Sequence, residues 1–420
     1  MRREPIVFVG TSDLSGHFRG KSFPEADLPS RLQRGVGLAP CNIFLSAFGP
    51  IQVPTFGTTG EVFLVPDSST RVFVAFEQSA AEYFFIGDIQ TVDGRRWEFC
   101  PRHILRRALE RLESETGLWL LASFEQEFLY GGVAENPWQP FELDGYRRQG
   151  PFGEALLAAM RQAGVIPDSF LAEFGPRQFE VTCAPARGMR AADDAVITRE
   201  LARAVAYRLG HRVSFTPIPD PAGIGNGTHI HWSFLDRDNR PALYEERRPL
   251  GLSLLGGQFV AGVQHHLAAL CAVTTPSVCS YFRLRPGRCA PVQADVAAMD
   301  RSVALRICPV VGSDPDGRAR QCNVEFRVAD ATASPYLLLA VLVQAGLDGI
   351  RHRREIDLST SRPLPRSLGE ALTLLEASET SAEWLGGDVL AAYVQFKRAE
   401  IKGLENLDER EICRRYAEAY

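Results

Sequence analysis

The segment LLASFEQEFLY, Leu120 to Tyr130, sets two glutamates, Glu125 and Glu127, one residue apart in an otherwise apolar run. In a β-strand successive side chains point to opposite faces, so residues i and i+2 share one. Leu121, Ser123, Glu125, Glu127 and Leu129 therefore line one face, and Phe124, Gln126, Phe128 and Tyr130 the other. On a helix the two glutamates would diverge by roughly 200°. A solvated edge strand would account for two acids on a polar face, because surface glutamates are common. In apolar surroundings, two like charges raise each other's pKa and cost stability unless a cation sits between them. Such a cation needs further ligands from elsewhere in the chain.

Three more segments carry ligand-capable residues two apart in a strand-like setting. In EFGPRQFEVTC, Gln178 and Glu180 share a face, with Glu173 seven residues before Glu180. In GIGNGTHIHWSF, His229 and His231 share a face opposite Ile230 and Trp232. In CNVEFRVAD, Asn323, Glu325 and Arg327 oppose Val324, Phe326 and Val328. Each pair alone has a bland reading, since an H-x-H is commonly structural and an E-x-R is commonly an ion pair along one face. Together they supply five glutamates and two histidines, which predicts an antiparallel sheet lining a polar cleft. Carboxylate oxygens with one or two imidazoles suit Mg²⁺ or Mn²⁺ better than zinc. Divalent ions in such a cleft point to phosphoryl chemistry, with arginines expected nearby. Arg283, Arg301, Arg306 and Arg327 are suited to grip carboxylate or phosphate.

The 420 residues, 45% hydrophobic and 23% charged with net charge −5, are those of an ordinary soluble protein long enough for two or three domains. The charge argues against nucleic acid or an anionic membrane as main partner. No run reaches the roughly 18 apolar residues of a membrane span, and MRREPIVFVG does not read as a signal peptide. Nine scattered cysteines without a C-x-x-C pair predict reduced thiols and a cytoplasmic location.

Residues 1–98 read as a small β-rich domain, with strands at PIVFVG, NIFLSAF, EVFLVP and RVFVAFEQ. SGHFRGKS is read as a hairpin turn. A P-loop needs a glycine five positions before its Gly-Lys pair, and here that position is Ser15. After a turn at Pro101, residues 99–420 form a larger α+β domain. Helices are predicted at HILRRALERLESETG, GEALLAAMRQAG, AADDAVITRELARAVAYRLG and LSLLGGQFVAGVQHHLAALCAV, and a buried one at SPYLLLAVLVQAGLDGIR.

These residues resemble the glutamine synthetase superfamily nearly end to end, through SGHFRGKSFP, FEQEF, EFGPRQFEV, GNGTHIHWS, YFRLRPG, DRSVALR and VEFRVADATASPYLLLAVLVQAGLDGI. The resemblance implies a β-grasp-like N-terminal domain, a catalytic domain with a curved antiparallel sheet flanked by helices, and homo-oligomeric rings with active sites between subunits. It implies ATP and two or more Mg²⁺ or Mn²⁺ ions. Glu127, Glu173 and Glu180 would hold the ion near the acyl substrate, and Glu125, His229 and Glu325 the ion near the nucleotide phosphates. Arg283, Arg327 and the backbone of Gly225 would bind the substrate amino acid. Arg301 and Arg306 would face the phosphates, and His231 and Ser233 the nucleotide side. The implied chemistry phosphorylates a side-chain carboxylate, which an amine then attacks.

The chain departs from the family pattern where ammonium is handled. The flap motif P-G-x-E-A-P reads PGRCAP, putting Cys289 in place of glutamate, and no aspartate lies between Leu28 and Pro66. An ammonium ion without counter-charges in a desolvated site has little reason to bind. The expected second substrate is a larger amine, as in the γ-glutamyl amide and polyamine ligases, with Cys289 opening room for it. A reactive-thiol role for Cys289 is the other reading. Asn323 stands where an arginine is usual, Arg177 and Ile224 replace a glycine and an asparagine, and Trp232 replaces glutamine. A metal-dependent phosphotransferase and an ordinary glutamine synthetase are the alternative functions. A non-catalytic relative would have lost metal ligands, and all six are present.

Overall fold

The computed structural model describes residues 3–50, 59–77, 79–134 and 140–420. Its first sheet opens with a hairpin of β1 (Ile6–Ser12) and β2 (Phe18–Pro24), paired from Ile6↔Pro24 to Ser12↔Phe18. Asp13 builds the turn. Its Oδ1 accepts from the Ser15 and His17 amides at 2.9 and 3.0 Å, and Arg19 Nε lies 2.5 Å from Oδ2. SGHFRGKS thus lies in the expected hairpin, its first residues in the turn that the Asp13 carboxylate closes and the rest in β2.

Helix α1 (Leu28–Arg34) leads to β3 (Val36–Leu38). Next come the two-residue strands β4 (Leu45–Ser46) and β5 (Gly49–Pro50), then β6 (Val62–Pro66), β7 (Val72–Val74) and β8 (Glu82–Thr91). The main sheet runs β2-β1-β8-β6-β3, with β7 also on β8 and with β1 and β8 parallel. NIFLSAF is a strand only at Leu45–Ser46. Pro40–Phe44 is a 3₁₀ turn, because Pro40 cannot donate to a ladder and Ile43 and Phe44 turn into the core. Part of the aspartate-free stretch, 51–58, lies outside the described residues.

Helix α2 (Pro101–Thr116) starts on Pro101 itself, so that proline opens the helix instead of forming a turn before it. It ends at Gly117, whose φ of 71° is the left-handed cap that glycine tolerates. Strand β9 (Trp119–Tyr130) follows, and its burial alternates residue by residue along all of LLASFEQEFLY. Beyond it come α3 (Leu143–Arg148), α4 (Phe152–Gln162), β10 (Pro167–Ala172), β11 (Gln178–Cys183) and β12 (Ala186–Arg187). Then follow α5 (Met189–Arg208), β13 (Val213–Ser214), β14 (Thr228–Leu235), α6 (Leu254–Thr274) and α7 (Ser280–Arg283). Strands β15 (Val296–Ala298) and β16 (Leu305–Ile307), helix α8 (Pro315–Gln321) and β17 (Val324–Phe326) complete the second sheet, and the buried α9 (Pro335–Arg351) packs on α6.

The second sheet has nine strands in the order β10-β11-β9-β14-β17-β16-β15, with β12 and β13 also on β9. It is antiparallel except for the β15–β16 pair, which is parallel. Helices α2 and α5 cover the apolar face of β9, and α9 packs against both of them. There Gln126 is fully buried and satisfied: it donates to Ala195 O at 3.0 Å and accepts from Arg199 Nε at 2.6 Å. Arg102 of α2 ties the first sheet to helix α5. Its buried guanidinium reaches Asp88 of β8 at 2.8 Å, Asp193 of α5 at 3.0 Å and Asp67 at 3.2 Å. Among the described residues no helix is long and apolar enough to cross a membrane.

Candidate active site

Strand register assembles the polar face. Glu180 of β11 pairs with Glu127, His229 of β14 with Glu125, and Glu325 of β17 with His231 and with Arg306 of β16. His229 Nδ1 lies 3.1 Å from Glu125 Oε2 and 3.5 Å from Glu325 Oε1, while its Nε2 lies 3.7 Å from Glu127 Oε1. Two candidate ion sites share this histidine: Glu125, His229 and Glu325, and Glu127, Glu180 and His229. In each, the ligand atoms lie within 4.8 Å of one another. Glu173 stands just beyond the end of β10, outside both groups, and its carboxylate accepts from the Phe174 amide at 3.1 Å.

The electrostatics fit divalent cations. Burial and the neighbouring Glu127 carboxylate push Glu173 up to about 7. Burial pushes Glu180 up still further, with Glu125, Glu127 and Glu173 adding repulsion. Buried, mutually repelling carboxylates with one imidazole form the oxygen-rich donor set of Mg²⁺ or Mn²⁺. A third cluster, Asp88, Cys100 and His103, fits poorly. Asp88 is already paired with Arg102 and Arg106, and burial pushes the Cys100 thiol up to about 11.

Glu325 is the most enclosed of the acids, at 1% exposed. Arg306 Nη1 donates to its Oε2 at 2.8 Å and Arg327 Nη1 to its Oε1. Burial opposes its charge, but His229 and Arg327 outweigh that and hold its pKa below the usual carboxylate range. His231 places Nε2 2.9 Å from Glu125 Oε1 and Nδ1 2.8 Å from Asn323 Oδ1. Burial disfavours its charge, yet the Cys308 contact and Glu125 hold its pKa well above the ordinary histidine value. Glu125 itself is held well below: burial raises it, and His229 and His231 more than reverse this.

Glu127 is positioned by Gln178, expected on the same face as Glu180, and by Gly227 and Asn226, which sequence reasoning did not single out. Its Oε2 accepts from the Gly227 amide at 2.8 Å and from Gln178 Nε2 at 3.1 Å, and the same Gln178 amide reaches Asn226 Oδ1 at 2.9 Å. Their signal was proximity to E-x-E in space, invisible along the chain. Gly225 has to be glycine here, since a Cβ would lie 2.5 Å from both Arg283 Cγ and Pro217 O. Arg283 is buried and donates to the carbonyls of Val328 and Ala329.

Glu125, Glu127, Glu173, Glu180, Gly225, His229, Arg283, Cys289, Arg301 and Arg327 all line one cavity of about 850 Å³. Ser233 and His231 line a smaller one, about 240 Å³, and Glu125 borders both. Arg306 and Glu325 lie buried beside it. Cys289 is exposed and has a left-handed φ of 56°. The preceding Arg288, also missed from sequence, donates to the carbonyls of Pro221, Ala222 and Gly223, tying the Cys289 segment to the loop before Gly225. Phe141 and Phe174, likewise unforeseen, stand exposed on the same cavity.

The glutamine synthetase catalytic-domain model matches residues 98–416 and the glutamine synthetase N-terminal-domain model residues 2–97. Gamma-glutamylpolyamine synthetase GlnA3 of Streptomyces coelicolor is 31% identical, over 99% of this chain and 93% of its own length. The glutamine synthetase of Pyrococcus woesei is 30% identical, over 97% and 92%. Among solved structures, a novel glutamine synthase homolog superposes with TM-score 0.94 at 40% identity, covering 100% of this chain and 99% of that one. The structure of apo GmaS gives 0.84 at 25%, covering 96% and 94%. With both sheets, the two carboxylate–histidine groups and these matches in agreement, the chain belongs to the glutamine synthetase family, the ATP-dependent ligases that form C–N bonds with Mg²⁺ or Mn²⁺.

Proposed function

We propose that this chain activates a glutamate-like γ-carboxylate as an acyl phosphate and joins it to an amine other than ammonium. The observation that carries the reading is Cys289 on the cavity wall, at the position of the family's flap glutamate. A thiol is smaller than glutamate's side chain and supplies no carboxylate for an ammonium ion, which leaves volume for a carbon substituent.

In this reading Glu127, Glu173 and Glu180 hold the ion near the acyl donor, and Glu125, His229 and Glu325 the ion near the nucleotide. When bound, the ions neutralise charge on the transferring phosphate. Arg283, Arg327 and the Gly225 backbone bind the donor's amino-acid end. Arg301 and Arg306 face the phosphates, and His231 and Ser233 lie on the nucleotide side, where Glu125 borders both cavities. The amine nitrogen attacks the acyl carbon and phosphate leaves. Residues 1–98 and 99–420 are taken as the two domains, assembling as a ring of identical subunits. A relative named for γ-glutamylpolyamine synthesis supports an amine acceptor.

The test supplies purified protein with ATP, Mg²⁺, glutamate and either ammonium or a panel of amines, and measures phosphate release and amide product. An amine outperforming ammonium is expected. Ammonium matching the best amine would make this an ordinary glutamine synthetase, and a stable phosphorylated product without amide would make it a phosphotransferase.

A further inference from the structure

The cavity has two properties that together describe the amine. The first is its charge. The carboxylates lining it are Glu125, Glu127 and Glu180, which belong to the two ion groups, and Glu173, which the ligase reading also gives to an ion. Against them stand four arginines on the same wall, Arg283, Arg288, Arg301 and Arg327, of which Arg327 is paired with Glu325. Among the described residues no carboxylate pairs with Arg288, whose donors go to three backbone carbonyls. A diamine or polyamine carries a second ammonium group some distance from the reacting one. Among the described lining residues that group meets guanidinium and finds no free counter-charge, an unfavourable arrangement in a partly desolvated site.

The second property is an apolar wall. Phe141 and Phe174 are 62% and 50% exposed, unusual for rings this large, and pack edge to face at 5.5 Å and 87°. Leu171, Ile224 and Ala290 line the same cavity. Phe174 follows Glu173 directly and holds its carboxylate through the backbone amide, so the aromatic wall begins one residue from the acid. Aromatic and aliphatic surface open to a ligand cavity provides contact for a hydrocarbon group.

Resting on the ligase reading above, we propose that the acceptor is a primary monoamine bearing an apolar aromatic or branched alkyl substituent. Phe174 and Phe141 select the substituent, and the arginine-rich wall rejects polyamines.

The purified full chain with ATP, Mg²⁺ and glutamate is offered hydroxylamine, ammonium, putrescine, spermidine, isobutylamine and benzylamine, with amides identified by mass spectrometry and kcat/KM from ADP formation. The expected result is that benzylamine or isobutylamine exceeds both polyamines and ammonium by at least about tenfold, the discrimination a hydrocarbon pocket supplies. In Phe174→Ala the benzylamine-to-putrescine ratio falls by about tenfold, while Phe174→Leu largely retains it. If Phe174→Ala melts below the assay temperature, Phe141→Ala takes its place. Putrescine or spermidine as the best acceptor, or an unchanged ratio in the alanine variant, overturns the inference and leaves the ligase reading intact. Ammonium as the best acceptor overturns both. Failure to form γ-glutamyl hydroxamate from hydroxylamine removes glutamate activation itself, and the inference falls with it.

Discussion

His229 and Glu125 are partners in strand register, and their side chains meet with Nδ1 3.1 Å from Oε2. Glu127, two residues on, pairs instead with Glu180, and its carboxylate is fixed by the Gly227 amide. The two glutamates of E-x-E thus face different partners from a single strand face. Glu125→Gln is expected to weaken ATP binding by about tenfold or more while sparing the acyl donor, and Glu127→Gln to do the reverse, consistent with loss of one charged ligand. Nucleotide titration and the KM for glutamate separate the two. Equal loss of ATP affinity in both variants would refute the division.

Metal should stabilise the fold, because the Glu127, Glu173 and Glu180 carboxylates repel one another without it. Adding Mg²⁺ or Mn²⁺ to chelator-treated protein at 100 times its dissociation constant is expected to add about 2.7 kcal/mol of stability and raise Tm by a few degrees. Glu180→Gln should both raise the metal-free Tm and blunt the metal response. A metal-insensitive melt would count against the ion sites.

Acid should loosen the first sheet from helix α2 at Asp88. Burial raises this carboxyl's pKa, but the His103 hydrogen bond and the Arg102 and Arg106 charges reverse that and hold it well below the usual carboxylate range. Its stabilisation is therefore complete above the unfolded-state pKa near 3.9 and is lost as pH falls below it toward the folded value. Asp88→Asn is expected to cost about 3 kcal/mol at pH 7 by leaving Arg102 short of a partner, with the gap to wild type closing below about pH 4. Urea midpoints across pH measure this. A gap constant down to pH 3 would contradict it.

Arg177 occupies a left-handed backbone conformation, φ 62°, at a position where the family motif has glycine. Its carbonyl accepts from the Tyr130 amide at 2.9 Å, which holds the turn in place. A residue with a Cβ is strained there by about 1–2 kcal/mol. Because both substitutions delete the side chain, Arg177→Gly should be more stable than Arg177→Ala by about 1 kcal/mol, read from denaturant midpoints. Equal midpoints would show that the turn relaxes.

How much of this was legible in the chain depends on the range of the interaction. Alternation along LLASFEQEFLY determined that Glu125 and Glu127 share a face, because the period of a strand is a local property, and burial follows it residue by residue. The same local reasoning gave the Asp13 hairpin in place of a phosphate loop and the helix ending at Gly117. It failed over Asn42–Phe44, the start of NIFLSAF, where tertiary packing of Ile43 and Phe44 overrode strand propensity. Register was beyond it. That Glu180 meets Glu127, that His229 meets Glu125, and that two arginines enclose Glu325 depends on strand order and on a pairing in which a one-residue slip would turn every ligand to the other face. The Arg288 clamp and the Phe141–Phe174 wall likewise join residues with no periodic relation in the chain. The sequence alone determined which groups carry the chemistry, because residue type and local period are encoded where they stand. Only the tertiary structure decided which partners they meet, because those contacts exist only once distant strands pair.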